Sequence, residues 1–247
     1  MINQIQEGLN RHLIEFTNNC DYEWLGIFLF GSQNYGLGDE SSDIDTYIIY
    51  FPPSRDTPML TKYFDNGEQS NAISIYDFYY NLKQMNFITL EMLFTPYFIL
   101  NPKYEEWWHI LLSYRDKIAY MDKNKWLIEF ERLVLMTEDR FIHETTMDIE
   151  NLKKDGYAFK PLYHLLRLRD MVDKYNLDEP YQEILLPRCL DYIKQLKNNH
   201  SLLSPEDAYK LVRHLVYESR EHCFIEQKYS TDLITQHKVY KHFKQLI

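Results

Sequence analysis

The stretch FLFGSQNYGLGDESSDIDTYIIY, residues 28–50, decides how this chain folds. A continuous apolar run from Trp24 to Phe30 leads into Gly31, a pattern typical of a buried strand. After a glycine-containing turn, Asp43 to Phe51 alternates and then becomes apolar, which predicts a second strand. We therefore predict two neighbouring strands joined by a polar loop.

Both ends of this loop carry residues suited to chemistry. Residues two apart on a strand share a face, so Asp43 and Asp45 present two carboxylates together while Ile44 points to the core. Two carboxylates this close repel each other unless a cation lies between them, and oxygen ligands favour Mg²⁺ or Mn²⁺. Gly31 permits a tight turn, and Ser32 adds a hydroxyl beside exposed backbone N–H groups, which suits the outer phosphates of a nucleoside triphosphate (NTP). The loop predicts metal-dependent phosphoryl or nucleotidyl transfer.

Outward from this stretch, the pattern changes from mixed to helical. The first ten residues predict an amphipathic helix, and residues 72–76 predict a third strand. Beyond Pro102, apolar spacing predicts five helices, roughly at 104–114, 123–152, 159–175, 181–198 and 205–227. We predict an α+β fold, in which a short mixed sheet with flanking helices occupies residues 1–100. An all-helical region, residues 101–247, follows and completes a cleft.

The composition restricts the class of protein. The 247 residues are 45% apolar with a net charge of −10, which excludes disordered and fibrous chains and argues against a broad grip on nucleic acid. Cys20, Cys189 and Cys223 form no Cys-x-x-Cys pair, which favours free thiols in a reducing compartment. With no secretory signal and no apolar run of about 20 residues, we expect a cytoplasmic protein that does not associate with membranes.

Residues 31–45, GSQNYGLGDESSDID, resemble the DNA polymerase β-like nucleotidyltransferase superfamily. The superfamily signature is an apolar strand, Gly-Ser or Gly-Gly, about ten residues and then Asp-apolar-Asp/Glu, which Gly31-Ser32 and Asp43-Ile44-Asp45 match. The stretch is especially similar to the bacterial and phage branch of predicted nucleotidyltransferases associated with RNA repair. The resemblance implies a minimal nucleotidyltransferase core in residues 1–100. It also implies transfer of a nucleoside monophosphate from an NTP to an acceptor hydroxyl, with release of pyrophosphate.

A second segment, residues 156–174, is similar to a helix of the same branch in which Lys is followed by His and then Arg-Leu. Lys160, His164 and Arg167 fall at i, i+4 and i+7, on one polar helix face. The resemblance implies that they bind the triphosphate from the helical side of the cleft. The ordinary alternative is a solvated helix face, with His164 as a core histidine.

In one respect the chain departs from the superfamily, which usually carries a third catalytic carboxylate on a strand after the first pair. Asn71, Ala72 and Ser74 occupy the positions where that acid is expected. Asp77 is the nearest candidate for the third catalytic carboxylate, although it is also placed to cap the helix that follows. Glu91, on the next predicted helix, is the other candidate.

Three functions remain open on these grounds. An RNA-end or tRNA nucleotidyltransferase is favoured by the resemblance and disfavoured by the net charge of −10. A nucleotidyltransferase acting on a small molecule or on protein hydroxyls meets no such obstacle. The third is a nucleotide-binding protein in which loss of the third acid has weakened catalysis.

Overall fold

The computed structural model of the protein describes residues 2–38, 42–54, 57, 59–143, 156–223 and 231–246. The chain divides into two compact units, one formed by Met1–Lys123 together with Ser230–Ile247 and the other by Asn124–Tyr229. The first unit contains a sheet with helices, and the described part of the second is helical. The division therefore lies further along the chain than residue 100, and the end of the chain belongs to the first unit.

The sheet of the first unit has five strands: β1 (Glu23–Phe30), β2 (Asp45–Phe51), β3 (Leu60–Tyr63), β4 (Gln69–Ser74) and β5 (Phe98–Leu100). They are ordered β3-β4-β2-β1-β5. Strands β2 and β4 run parallel, whereas the other neighbours are antiparallel. This mixed sheet with its helices confirms the predicted α+β class.

The described helices are α1 (Ile2–Asn19), α2 (Ile75–Lys83), α3 (Phe87–Phe94), α4 (Glu105–Leu112), α5 (Arg115–Ala119), α6 (Lys123–Ile142), α7 (Phe159–Asn176), α8 (Tyr181–Leu185), α9 (Leu190–Asn198), α10 (Pro205–Cys223) and α11 (Leu233–Phe243). Short 3₁₀ turns occur at Ser32–Tyr35, Pro102–Tyr104 and His200–Leu202. None of these helices has the length and apolar character needed to cross a bilayer.

Strand β1 is apolar along most of its length because side chains pack against both faces of the sheet. On one face, Ile27 and Leu29 are buried in a cluster with Ile5 and Leu9 of α1. On the other face, the ring of Phe28 lies 4.5 Å from that of Trp108 in α4, measured between centroids. The apolar run recognised in the sequence is thus the middle of a three-layered core.

The outer strands β3 and β5 are not predicted from the sequence. Strand β3 is largely exposed and β5 has only three residues, so neither shows a clear apolar pattern. Both are ordered by pairing with an inner strand, as is usual for short edge strands. The predicted strand at 72–76 is β4, which ends at Ser74 because that residue caps α2.

In the second unit, the predicted helix at 159–175 is α7, and those predicted at 123–152 and 205–227 begin as α6 and α10. Residues 144–152 and 224–227 lie outside the described residues. The single helix predicted at 181–198 is two helices, α8 and α9, with Pro187 in the break between them.

Helix α11 belongs to the first unit because it is attached to α4. Trp107 Nε1 donates to the carbonyl oxygen of His242 (3.1 Å), and His242 Nε2 lies 2.8 Å from the carbonyl oxygen of Trp107. The two rings are stacked with centroids 4.4 Å apart. The chain therefore returns to the unit that carries the sheet.

Candidate functional site

The loop after β1 begins with a conformation that favours glycine. Gly31 has φ 90°, a region that side chains with a Cβ rarely adopt. The amide of Asn34 donates to the carbonyl of Gly31 (3.0 Å), and the 3₁₀ turn Ser32–Tyr35 follows directly. Ser32, half-buried, is the first residue of that turn, and its carbonyl accepts from the amides of Leu37 and Gly38, both at 3.1 Å. The predicted tight turn at Gly31-Ser32 is therefore present.

Glu91 of α3 holds this loop in place. Its Oε1 accepts from the Gly31 amide (3.2 Å) and from Asn34 Nδ2 (3.0 Å), and its Oε2 accepts from the Tyr35 hydroxyl. The side chain is buried, with 3% of the residue exposed. Its oxygens are thus engaged with backbone and side chains of the loop, a positioning role that differs from that of a third metal ligand.

The signal for this role was present in the sequence. Glu91 is the lone charged residue of the apolar helix FITLEMLF, which is buried from Thr89 to Phe94. A carboxylate within a buried helix requires hydrogen-bond donors nearby. The donors that bind this carboxylate lie 57–60 residues away in the chain. No local sequence pattern therefore identifies them.

Asp45 lies next to Gly31 because their strands are paired. Asp45 is the first residue of β2 and is the register partner of Phe30, the last residue of β1. A Cβ added to Gly31 would lie 3.7 Å from Asp45 Oδ2. Asp45 Oδ1 accepts from the backbone amide of Gln69 at 3.0 Å. The structure thus brings together the two ends of the predicted motif.

Asp43 lies just before β2 and is exposed, whereas Ile44 is buried with 7% of its surface exposed. The expected alternation is therefore present, although the strand itself begins only at Asp45. Gly67, in the turn between β3 and β4, has φ 90°, and a Cβ added there would lie 3.5 Å from Asp43 Oδ1. Asp43 and Asp45 are consequently both bordered by the segment around Gly67 and Gln69.

Negative charge from Glu91 and Asp45 acts on the neighbouring Tyr47. Burial first, and then the negative charges of Glu91 and Asp45, raise the pKa of Tyr47 to about 12. In the described residues, no group of three or more His, Cys, Asp and Glu is placed to hold a metal ion. Mg²⁺ keeps several waters and is commonly held by one or two carboxylates together with substrate phosphates. The oxygen donors of Asp43 and Asp45 fit such an ion.

The structure does not bring Asp77 to this pair. In the parallel register, Ser70 at the start of β4 pairs with Thr46, next to Asp45, whereas Ser74 at its end pairs with Tyr50. Four residues of strand, about 13 Å, separate those two positions, and Asp77 follows Ser74. Asp77 lies instead in the first turn of α2, which Ser74 caps: the Asp77 amide donates to Ser74 Oγ (3.0 Å), and the Ser74 hydroxyl donates to Asp77 Oδ2 (2.7 Å).

Asn71 of β4 is the side chain that shares the face of Asp45. Tyr47, two residues after Asp45, is the register partner of Asn71, so all three side chains lie on one face of the sheet. Asn71 Oδ1 accepts from Thr61 Oγ1 (2.9 Å) and from Gln69 Nε2 (3.0 Å). An amide therefore stands on the neighbouring strand where the superfamily resemblance leads us to expect an acid.

Lys160, His164 and Arg167 all lie on α7, in the second unit. Burial first, and then the positive charges of Arg167, Lys160 and Arg140, lower the pKa of His164 well below 6.5. Arg140 of α6 is thus a fourth member of the group, which the sequence did not predict. Arg167 is buried with 6% of its surface exposed, whereas Lys160 is exposed. Among the described residues, the positive charges of Arg167, Lys160 and Arg140 thus act on the same imidazole.

No protein-family model matches the chain, and no curated protein matches it significantly.

Proposed function

We propose that the protein is a metal-dependent nucleotidyltransferase that moves a nucleoside monophosphate from an NTP to an acceptor hydroxyl. The observation that carries the proposal is the proximity of Gly31 to Asp45 at the paired ends of β1 and β2. A glycine-permitted turn therefore lies beside the carboxylate of Asp45, two residues after Asp43, which suits a phosphate chain on one side and a cation on the other.

In this proposal, Asp43 and Asp45 hold Mg²⁺ or Mn²⁺. A bound divalent ion offsets the negative charge of the phosphates and of the displaced pyrophosphate. Ser32 supplies a hydroxyl for the β and γ phosphates, and Gly31, whose amide is bound by Glu91, provides the turn that places Ser32 beside them. Glu91 keeps this loop in place through its bonds to Gly31, Asn34 and Tyr35.

Within the second unit, Lys160, His164 and Arg167 are assigned to binding of an anion. Burial is the largest cause of the lowered pKa of His164, and the positive charges of Arg167, Lys160 and Arg140 lower that pKa further. Such a field attracts an anion and keeps the ring neutral, so that it can donate one hydrogen bond.

We do not include Asp77 among the metal ligands, because its place beyond the far end of β4 and its bonds with Ser74 support a capping role. Asn71 is the better candidate for a neutral oxygen donor near Asp45. Because an amide stands there in place of an acid, the proton of the acceptor hydroxyl passes to the substrate or to solvent in this proposal.

For the acceptor, an RNA end or tRNA is favoured by the resemblance, and the net charge of −10 restricts the contact to a short end or a folded shape. A small molecule or a protein hydroxyl is the alternative. A cytoplasmic location accords with the free thiols of Cys20, Cys189 and Cys223.

The test is incubation with Mg²⁺, each α-labelled NTP and a panel of RNA, tRNA, protein and small-molecule acceptors. We expect labelled product from the wild type, and a loss of at least about 100-fold in Asp43→Asn and Asp45→Asn. Asp77→Asn is the matched control and should keep near wild-type turnover. Full turnover in Asp45→Asn would overturn the mechanism. NTP binding without product from any acceptor would instead favour a nucleotide-binding protein with weakened catalysis.

A further inference from the structure

A polar network, buried except for the exposed Arg11, lies on the opposite face of the sheet from Asp45. Glu68, with 6% of its surface exposed, accepts from Arg11 and lies 3.0 Å from His12 Nε2. His12 Nδ1 lies 2.9 Å from Thr46 Oγ1, and that hydroxyl is hydrogen-bonded to Ser70 Oγ at 2.9 Å. The superfamily signature accounts for none of these five residues.

Glu68 is placed between the two residues that border the candidate metal ligands. Gly67, directly before it, lies against Asp43, and Gln69, directly after it, donates its amide to Asp45 Oδ1. Any movement of the Glu68 side chain that displaced its backbone would therefore move the partners of both carboxylates.

Helix α1 holds this segment through one face. Arg11 and His12 bind Glu68, and the ring of His12 is stacked on Phe64 in the same turn, with centroids 4.2 Å apart. Gly8, three and four residues earlier and hence on the same helix face, lies against Ile44. A Cβ added to Gly8 would be only 2.7 Å from Ile44 Cδ1.

The ionisation of the pair fits a fixed polar contact. Burial lowers the pKa of His12 more than Glu68 raises it, so that the ring is neutral at pH 7. For Glu68, burial raises the pKa, but hydrogen bonds, including those from Arg11 and His12, outweigh burial and lower it. The result is a buried carboxylate bound by a cation and a neutral imidazole, an arrangement that is costly to disrupt.

We propose that Arg11, His12 and Glu68 are positioning residues that hold the Gly67–Gln69 segment against Asp43 and Asp45 and thereby set the metal affinity of that pair. The metal-affinity part rests on the proposed function, whereas the positioning part does not. Groups that orient metal ligands from behind typically change metal affinity by about 10- to 100-fold when removed.

The experiment compares Glu68→Gln and Arg11→Ala with the wild type by two readouts. The first is hydrogen exchange of the Gln69 amide, followed by NMR, which should become about tenfold faster in both variants because the segment opens more readily. The second is Mn²⁺ affinity in the presence of NTP, followed by electron paramagnetic resonance, which should fall about tenfold. Arg11→Lys, which keeps the charge, should restore both values.

Lys62→Gln is the matched control. It removes the ion pair between Lys62 Nζ and Glu15 Oε1 (2.9 Å), which also joins α1 to the sheet but does not involve Asp43 or Asp45. It should leave both readouts unchanged. If the Gln69 amide of Glu68→Gln exchanged at the wild-type rate, the positioning claim would be overturned. The same holds if the wild type binds Mn²⁺ and Glu68→Gln binds it with equal affinity. If the wild type binds no Mn²⁺ while amide exchange of Gln69 is still faster in the two variants, the proposed function is refuted and the positioning claim stands.

Discussion

At the scale of single residues, Glu91 shows how one buried carboxylate defines a loop. It accepts hydrogen bonds from a backbone amide, a side-chain amide and a phenol, all within the segment that follows β1. Because these bonds join one carboxylate to both the backbone and the side chains of the loop, the loop conformation depends on the charge that Glu91 places there.

We expect Glu91→Ala to lower the free energy of unfolding by about 3 kcal/mol, since buried donors left without acceptors cost about 1–3 kcal/mol each. Tyr35→Phe removes one donor and keeps the ring, so it should cost only about 1 kcal/mol. Urea denaturation of both variants measures these changes. A loss below about 1 kcal/mol in Glu91→Ala would show that the loop does not depend on this carboxylate.

At the scale of elements, Ser74 marks the point where β4 becomes α2. Ser74 is the last residue of the strand, and its hydroxyl oxygen accepts a hydrogen bond from the amide of Asp77. The apolar spacing of residues 72–76 continues across this point, so periodicity alone places the end of the strand two residues too late. The capping contact, a favourable interaction at a helix N-terminus, decides the boundary.

Replacing Ser74 by Ala should destabilise the protein by about 1 kcal/mol through loss of this cap, without creating a cavity. Ser113→Ala offers the comparison, because Ser113 is exposed and its hydroxyl donates to the carbonyl of Ile110 at the end of a helix (2.7 Å). Thermal and urea denaturation should separate the two variants. Equal stability in both would mean that Ser74 does not stabilise α2.

At the scale of the whole molecule, three histidines, of which His12 is buried and His164 and His242 are half-buried, link stability to pH. Burial is the largest cause that lowers the pKa values of His12, His164 and His242 below 6.5. The unfolded chain therefore takes up protons more readily than the folded one as pH falls below about 6.5. Glu68, whose folded pKa is also lowered, adds a second loss of stability further down, as pH falls below about 4.5.

We thus expect the thermal midpoint to fall steadily from pH 7 to pH 5, and more steeply below pH 4.5. Thermal denaturation at constant ionic strength measures this profile. Replacement of the exposed His237 by Gln should leave its shape unchanged, whereas His164→Gln should flatten the upper part. A midpoint that stays constant between pH 7 and pH 5 would contradict the linkage.

The sequence by itself determined the paired strands around Gly31 and Asp45, the alternation that buries Ile44, and the helical character of the second unit. These follow from periodicity and from turn chemistry, which act between residues close in the chain. Only the tertiary structure decided that Asp77 lies beyond the end of β4 that is distant from Asp45, that Glu91 binds the loop and that α1 holds Glu68. Parallel strand pairing and contacts 56–60 residues apart make those choices, because burial satisfies a charged side chain with whichever donors the packing brings to it.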